Sequence, residues 1–432
     1  MIYCFKKSCC PRLVFGALLT FTCLSVSGET LKEARAAFHS APQKTDYKPS
    51  GEIQPPLYHA YELVEYPAPV GKLAAYLSRD PGDGKKHPVV VWAHGGFGSI
   101  DPPDLLPQSS AIDQSPDNFR AAGFVVMTPS WRGENANPGH FELYNGEVDD
   151  LIAAVDYAKK LPYSDPNRVY LMGHSSGGTL VLLAAEKGVQ VRAAFSFGGT
   201  PALERELKAT NGSFYIYKLL PFNWRNPDEL KIREPIHFVS DIRLPTFYVE
   251  GELVTSNASG AQLMAKVAKT AHASLDVHII NGGDHFNILR PIKRLIEEKL
   301  LRDTGTTFSV TLSDAEITKA FINCRDAKPE ISDKPFVRAS PDLAKILKRN
   351  VTAAIQEVPR EIAFIRLALT ADGAVYHSVD NAFDVGDRQC ESNGVTFVLD
   401  PRAYETLAPL DLSIEVTDNR KHLQVKRHVK MD

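Results

Sequence analysis

Between about residue 71 and residue 305 the chain alternates short apolar runs with stretches of helical period, and this alternation limits the possible folds more than any other feature. The runs cover residues 73–77, 89–93, 124–127, 169–172, 193–197, 246–249 and 275–280. β-Branched and aromatic residues fill most of them, as suits strands buried on both faces. Between them, residues 149–160 place Leu151, Ile152, Val155 and Ala158 on one helical face, and residues 261–271 and 291–301 behave similarly. Strands alternating with helices predict an α/β fold, a mostly parallel sheet with helices on both faces.

Two stretches break the rhythm. Residues 201–243 form a long insertion rich in aromatics (Phe214, Tyr215, Tyr217, Phe222, Trp224), read as a helical cap over the sheet's carboxyl edge. After residue 305 the alternation stops. Ser313-Asp314-Ala315-Glu316 has the form of a capping box, and residues 362–369, 374–378, 395–399, 410–416 and 422–429 read as strands. Asp372-Gly373 and Asp418-Asn419 supply hairpin turns, so residues 306–432 are expected to form a small β-rich C-terminal domain. Residues 29–70 precede the sheet as a lead-in, with a helix near 31–38 followed by extended chain.

The first 28 residues look like an address. Lys6, Lys7 and Arg12 precede an apolar run over residues 13–26 that ends in small residues, the order of a secretory signal and too short for a membrane span. The expectation is an exported protein, periplasmic or extracellular, without a stable membrane span after signal removal. The formal charge of −3 becomes −6 once those three cations are gone. Nothing in that balance suits a polyanion, and nucleic acid is not an expected partner. Of six cysteines only Cys324 and Cys390 lie beyond residue 28, free to pair or to stay separate. No Cys/His cluster has zinc spacing, so no metal is expected. Asn-x-Ser/Thr sequons occur at Asn211, Asn257 and Asn350.

The chemistry is concentrated in Gly173-His174-Ser175-Ser176-Gly177, which follows one predicted strand and opens a helix-prone run. G-x-S-x-G at a strand-to-helix turn is a nucleophile elbow: small neighbours let the turn tighten, and the serine hydroxyl stands at the helix's positive end. A serine nucleophile needs a base. His285, in the glycine-rich Gly282-Gly283-Asp284-His285-Phe286 past the last strand, sits where a sheet-top base belongs. It also needs donors for an oxyanion. His94-Gly95-Gly96-Phe97-Gly98 follows the strand at 89–93, so the backbone N–H of Phe97 joins that of Ser176, with Gly95 and Gly96 shaping the loop.

From about residue 89 to 289 the chain resembles the α/β-hydrolase superfamily. Within it, the resemblance is to the catalytic domain of prolyl-oligopeptidase-type serine peptidases and to dienelactone-hydrolase-like esterases. The segments that carry it are His94-Gly95-Gly96, Trp131-Arg132-Gly133, Gly146-Glu147-Val148-Asp149-Asp150, Asp165-Pro166-Asn167-Arg168-Val169 and the elbow, in the family's order. The resemblance implies a Ser-acid-His triad, acyl-enzyme chemistry without a bound cofactor, and a small ester or short peptide as substrate. About 60 exported residues precede Val89, too few for the propeller that large peptidases of this type place there.

The acid departs from the pattern. The family commonly carries aspartate three residues after the glycine that ends the late strand, and here Glu250-Gly251-Glu252-Leu253-Val254 puts Val254 there. Valine cannot orient an imidazole, so a neighbour must supply the carboxylate. Glu252 is the first choice, Glu250 the second, and Asp241 and Asp284 follow. The valine also raises an alternative, a catalytically impaired binding protein that keeps the fold.

Overall fold

The computed structural model describes residues 28–428 except 44, 49–50, 57–58, 109–110, 210–218, 333–335, 358–362, 370–374, 381–382, 408–410 and 417–422. The signal segment, Phe214, Tyr215, Tyr217, the sequon at Asn211 and both expected turns at Asp372-Gly373 and Asp418-Asn419 lie outside the described residues.

Eight strands form the main sheet: β1 (Tyr61–Ala68), β2 (Gly71–Ser78), β3 (His87–Ala93), β4 (Val125–Pro129), β5 (Ser164–His174), β6 (Ala193–Phe197), β7 (Thr246–Gly251) and β8 (Leu275–Ile280). Their order is β1-β2-β4-β3-β5-β6-β7-β8. β1 and β2 pair antiparallel, as do β2 and β4, and every other pairing is parallel. All seven predicted runs are strands. β1 was not among them: it falls in the polar stretch read as lead-in, because an edge strand with alternate residues exposed lacks the continuous apolar run that marks a central one.

Helices α1 (Leu31–Ala37), α2 (Asp117–Ala121), α3 (Gly146–Ala158), α4 (Ser176–Glu186), α5 (Leu203–Ala209), α6 (Pro227–Lys231), α7 (Thr255–Ala271) and α8 (Leu289–Arg302) accompany the sheet. The two-residue period of the strands divides the core. Val89, Val91, Met127 and Leu171 face α3 and α4 through Val148, Leu151, Val155 and Leu180. Val90, Trp92, Val126 and Tyr170 face the other way, against Leu289, Ile292 and Ile296 of α8. Both faces are therefore covered, as the alternation required.

The chain continues through α9 (Asp314–Arg325), β9 (Glu330–Ile331), β10 (Val337–Ala339), α10 (Pro341–Glu357), β11 (Phe364–Leu369), β12 (Val375–Asp380), β13 (Arg388–Ser392), β14 (Val395–Leu399), α11 (Pro401–Leu407), β15 (Asp411–Val416) and β16 (Leu423–His428). The strands form a five-stranded and a three-stranded sheet. The capping box at Ser313 opens α9, with the Ser313 side chain accepting from the Glu316 N–H and Glu316 answering at the Ser313 N–H. α10 is an addition to the β-rich expectation. Leu343, Ala344 and Leu347 bury one face of it against Ile365, Leu367 and Phe397. Cys324 and Cys390 are both free. Among the described residues no helix is long and apolar enough to cross a membrane.

Candidate active site

Strands β3, β5, β7 and β8 run parallel, so the loops after them meet at one edge of the sheet, where open α/β sheets bind ligands. The loop after β5 is the elbow. Ser175 has φ +55° and ψ −119°, a backbone a non-glycine residue adopts only under constraint. Its N–H donates to the Phe197 carbonyl at 2.8 Å and its carbonyl accepts from the Thr179 N–H at 3.1 Å. With the backbone pinned, the side chain projects from the start of α4, and Ser175 Oγ lies 3.0 Å from His285 Nε2.

The His285 ring stands in a fitted slot. A Cβ at Gly198, which has φ +63°, would come within 2.7 Å of His285 Cε1 and 2.8 Å of Nδ1. Nothing larger than glycine leaves room for the ring there. Asp284 ties the loop by accepting from the Phe286 and Asn287 N–H groups, each at 2.8 Å.

Of the two leading carboxylates, the structure brings Glu250 to the histidine and leaves Glu252 away from it. Glu250 is fully buried, with Oε1 3.8 Å from His285 Nδ1. Glu252 is exposed and accepts from the Gly282 N–H at 3.1 Å. The reason is where the strand ends: Glu250 is the penultimate residue of β7 and is held at the sheet edge, whereas Glu252 lies in the turn after Gly251, where the continued strand that would have kept it on the same face is gone. Asp241 accepts from the Leu31 N–H at 2.9 Å and caps the lead-in instead. Val254, at the family's aspartate position, precedes the first residue of α7.

Glu250 is itself held. Oε1 accepts from the Gly251 N–H at 2.8 Å and Oε2 from the Asn257 side-chain amide at 2.9 Å. Asn257 is buried, so this sequon is not an accessible acceptor. Sequence reasoning passed over Asn257 and Gly198, since an amide and a glycine carry no signal until the fold sets them beside the carboxylate and the ring. The 3.8 Å separation is longer than a hydrogen bond, and Nδ1 has no hydrogen-bond partner among the described residues.

On the other side of the serine, Ser176 Oγ donates to the Gly96 carbonyl at 2.5 Å and fastens the loop after β3 to the elbow. No hydrogen bond among the described residues takes up the N–H of Phe97 or Ser176. His94 packs beneath this loop, stacked on Trp131 at 5.4 Å between centroids, and burial lowers its pKa to about 4. The Phe97 ring meets Phe141 and Tyr144 at 6.5 and 6.3 Å, and Tyr47 of the lead-in stacks on Phe141 at 4.4 Å. Phe222 and Trp224, the described cap aromatics, pack into the core under the sheet. Arg132 braces its loop, donating to Asp150 at 2.9 and 2.8 Å and to Glu142 at 2.7 Å. Among the described residues no group of three or more His, Cys, Asp or Glu could hold a metal ion.

Residues 111–300, which carry the serine and the histidine, match the prolyl oligopeptidase family. The match, over less than half of the chain, is that of a serine hydrolase similar to this family. The chain is 22% identical over 226 residues to the uncharacterized peptidase YtmA of Bacillus subtilis, covering 51% of this chain and 85% of that protein. Dipeptidyl-peptidase 5 of Porphyromonas gingivalis is 25% identical over 185 residues, 39% of this chain and 26% of the relative. Among solved structures, the acylaminoacyl peptidase of Pyrococcus horikoshii superposes with a TM-score of 0.49 at 14% identity, covering 60% of this chain and 43% of that one. The chain thus spans most of the Bacillus protein and less than half of each of the other two.

Proposed function

We propose that the chain is an exported serine hydrolase that cleaves short peptides or small esters through an acyl-enzyme, with Ser175 as nucleophile, His285 as base and Glu250 as the orienting acid. The approach of Ser175 Oγ to His285 Nε2 at 3.0 Å carries the reading. Nε2 takes the hydroxyl proton as Oγ attacks the carbonyl carbon. The oxygen that becomes negative is met by the N–H groups of Phe97 and Ser176, which no acceptor among the described residues uses. His285 then returns the proton to the leaving amine or alcohol, and water repeats the sequence to free the acid. Glu250, fully buried beside Nδ1, favours the imidazolium that forms in each half-reaction, and closing the 3.8 Å gap on substrate binding makes the hydrogen bond.

Peptides are the first substrate class, because the matched family is one of peptidases. Small esters are the second, since the same acyl chemistry serves both. In the division that accompanies this reading, residues 1–28 are removed on export, 29–70 lead in, 71–305 carry the chemistry with the insertion at 201–243, and 306–432 form the C-terminal unit.

The test is labelling by a fluorophosphonate together with turnover of aminoacyl amides and p-nitrophenyl esters. Ser175→Ala is expected to abolish all three. Labelling or turnover that survives in Ser175→Ala rules the assignment out. Wild-type protein that neither labels nor turns over any substrate favours the binding-protein alternative. Mass measurement of the protein recovered outside the cytoplasm tests export, with loss of about 28 residues expected.

A further inference from the structure

His174, the second residue of the elbow motif, is buried between the three loops of the site. Its Nε2 lies 2.9 Å from the backbone carbonyl of His285, and its Nδ1 lies 2.8 Å from Oε1 of the Gln114 side-chain amide. The carbonyl can only accept, so Nε2 carries the proton. Burial, reinforced by the neighbouring His285, keeps the ring neutral. Nδ1 is then an acceptor, and the hydrogen bond forms with the Gln114 amide turned by a half-rotation, so that its N–H2 takes the place of Oε1 opposite Nδ1.

Gln114 is anchored in turn. The carbonyls on either side of it, Asp113 and Ser115, accept from Lys293 Nζ at 2.9 and 2.5 Å. Lys293 is buried on α8, the helix that begins four residues after His285. The segment 113–115 therefore holds the base loop at two points, at the His285 carbonyl through His174 and at α8 through Lys293. The oxyanion loop rests on the same pair. A Cβ on Gly95 would fall 2.9 Å from the Gln114 amide and 3.1 Å from His174 Nδ1.

We infer that Gln114 and His174 are positioning residues of this site: one hydrogen-bonded pair joins the elbow, the base loop and the oxyanion loop, and it fixes the height of His285 above Ser175. The inference rests on the serine-histidine reading above. In G-x-S-x-G the first x is commonly a spacer, but here its ring is the only described side chain hydrogen-bonded to the backbone of the base itself.

His174→Phe keeps the ring volume and removes both hydrogen bonds, while Gln114→Leu removes the outer one from a half-buried position that does not threaten folding. Each is expected to lower kcat, by about 10- to 100-fold for His174→Phe, with KM within about threefold, because misplacing a reacting group costs rate and not ground-state binding. The double variant is expected to be no slower than His174→Phe alone, since the two act through one connection. Full kcat in Gln114→Leu, additive losses in the double variant, or a change confined to KM overturns the inference. Ser175→Ala assayed alongside separates the two claims. An inactive Ser175→Ala beside a fully active Gln114→Leu removes only the positioning role, whereas an active Ser175→Ala removes the serine-histidine reading as well.

Discussion

Single residues decide the arrangement around His285. Glu250 lies 3.8 Å from Nδ1 and Glu252 accepts a loop N–H elsewhere, so the two carboxylates separate experimentally. Glu250→Gln is expected to lower kcat between about 10²- and 10⁴-fold, the range set by removing the orienting charge while keeping the shape. Glu252→Gln is expected to stay within about twofold of wild type. Equal kcat values in the two variants contradict the assignment. Gly198→Ala is expected to cost at least about 10-fold in kcat, because its methyl group would occupy the space of the His285 ring, 2.7 Å from Cε1. A Gly198→Ala enzyme with unchanged kcat shows that the ring is not seated there. The meeting of Ser175 and His285 was legible in the sequence because each lies within a glycine-rich string after an apolar run. The proposed acid was not: Glu250 and Glu252 flank Gly251 two positions apart and would share one face of a strand, so the choice rests on the end of β7 at Gly251, which the sequence does not mark. Asn257 and Gly198 were invisible for a related reason, their roles being defined by partners 7 and 87 positions away.

At the scale of elements, the loop after β3 depends on a buried imidazole. An unfolded histidine titrates near 6.5, and burial takes His94 down to about 4. Its neutral form is favoured in the folded state, so this contribution to stability is fully present above pH 6.5 and is lost as the pH falls toward 4. The loss is on the order of 3 kcal/mol. Denaturant midpoints at pH 7.5 and 4.5 check the expectation. His94→Phe, which keeps the stack on Trp131, is expected to show a smaller drop between the two pH values than wild type, and an equal drop argues against it. The strands and helices of the sheet were legible for the converse reason. Continuous apolar runs such as 89–93 admit few environments, whereas β1, with alternate residues in water, resembles any polar stretch. α10 did carry a helical signal, Leu343, Leu347 and Val351 at four-residue spacing, which stands beside strand-like runs on its C-terminal side.

At the scale of the whole molecule, the C-terminal unit meets α8 through buried charge. Arg290 lies 3.2 Å from Asp380 and 3.0 Å from Asp384, and Arg294 lies 3.2 Å from Asp384. Arg366 completes the cluster at 2.6 Å from Asp380 and 2.7 Å from Asp387. Removing one member leaves the others buried without their counter-charge, which costs about 3 to 5 kcal/mol. Arg290→Ala is therefore expected to lower the thermal midpoint by several degrees, and an unchanged midpoint shows that the seam carries no stability. A chain ended at residue 305 is expected to lose solubility, since it also gives up Ile317 and Phe321 of α9 from the core beneath the sheet.

That seam bears on inheritance. Arg290 and Arg294 sit on the helix that follows His285, while Arg366 and three carboxylates lie in the C-terminal unit, the carboxylates some 90 residues beyond Arg290, so neither half is neutral on its own. Recombination that replaced residues 306–432 with the tail of a relative would pair Arg290 and Arg294 with whatever that tail presents. A viable exchange has to carry both sides together, which ties the history of the tail to that of the catalytic half.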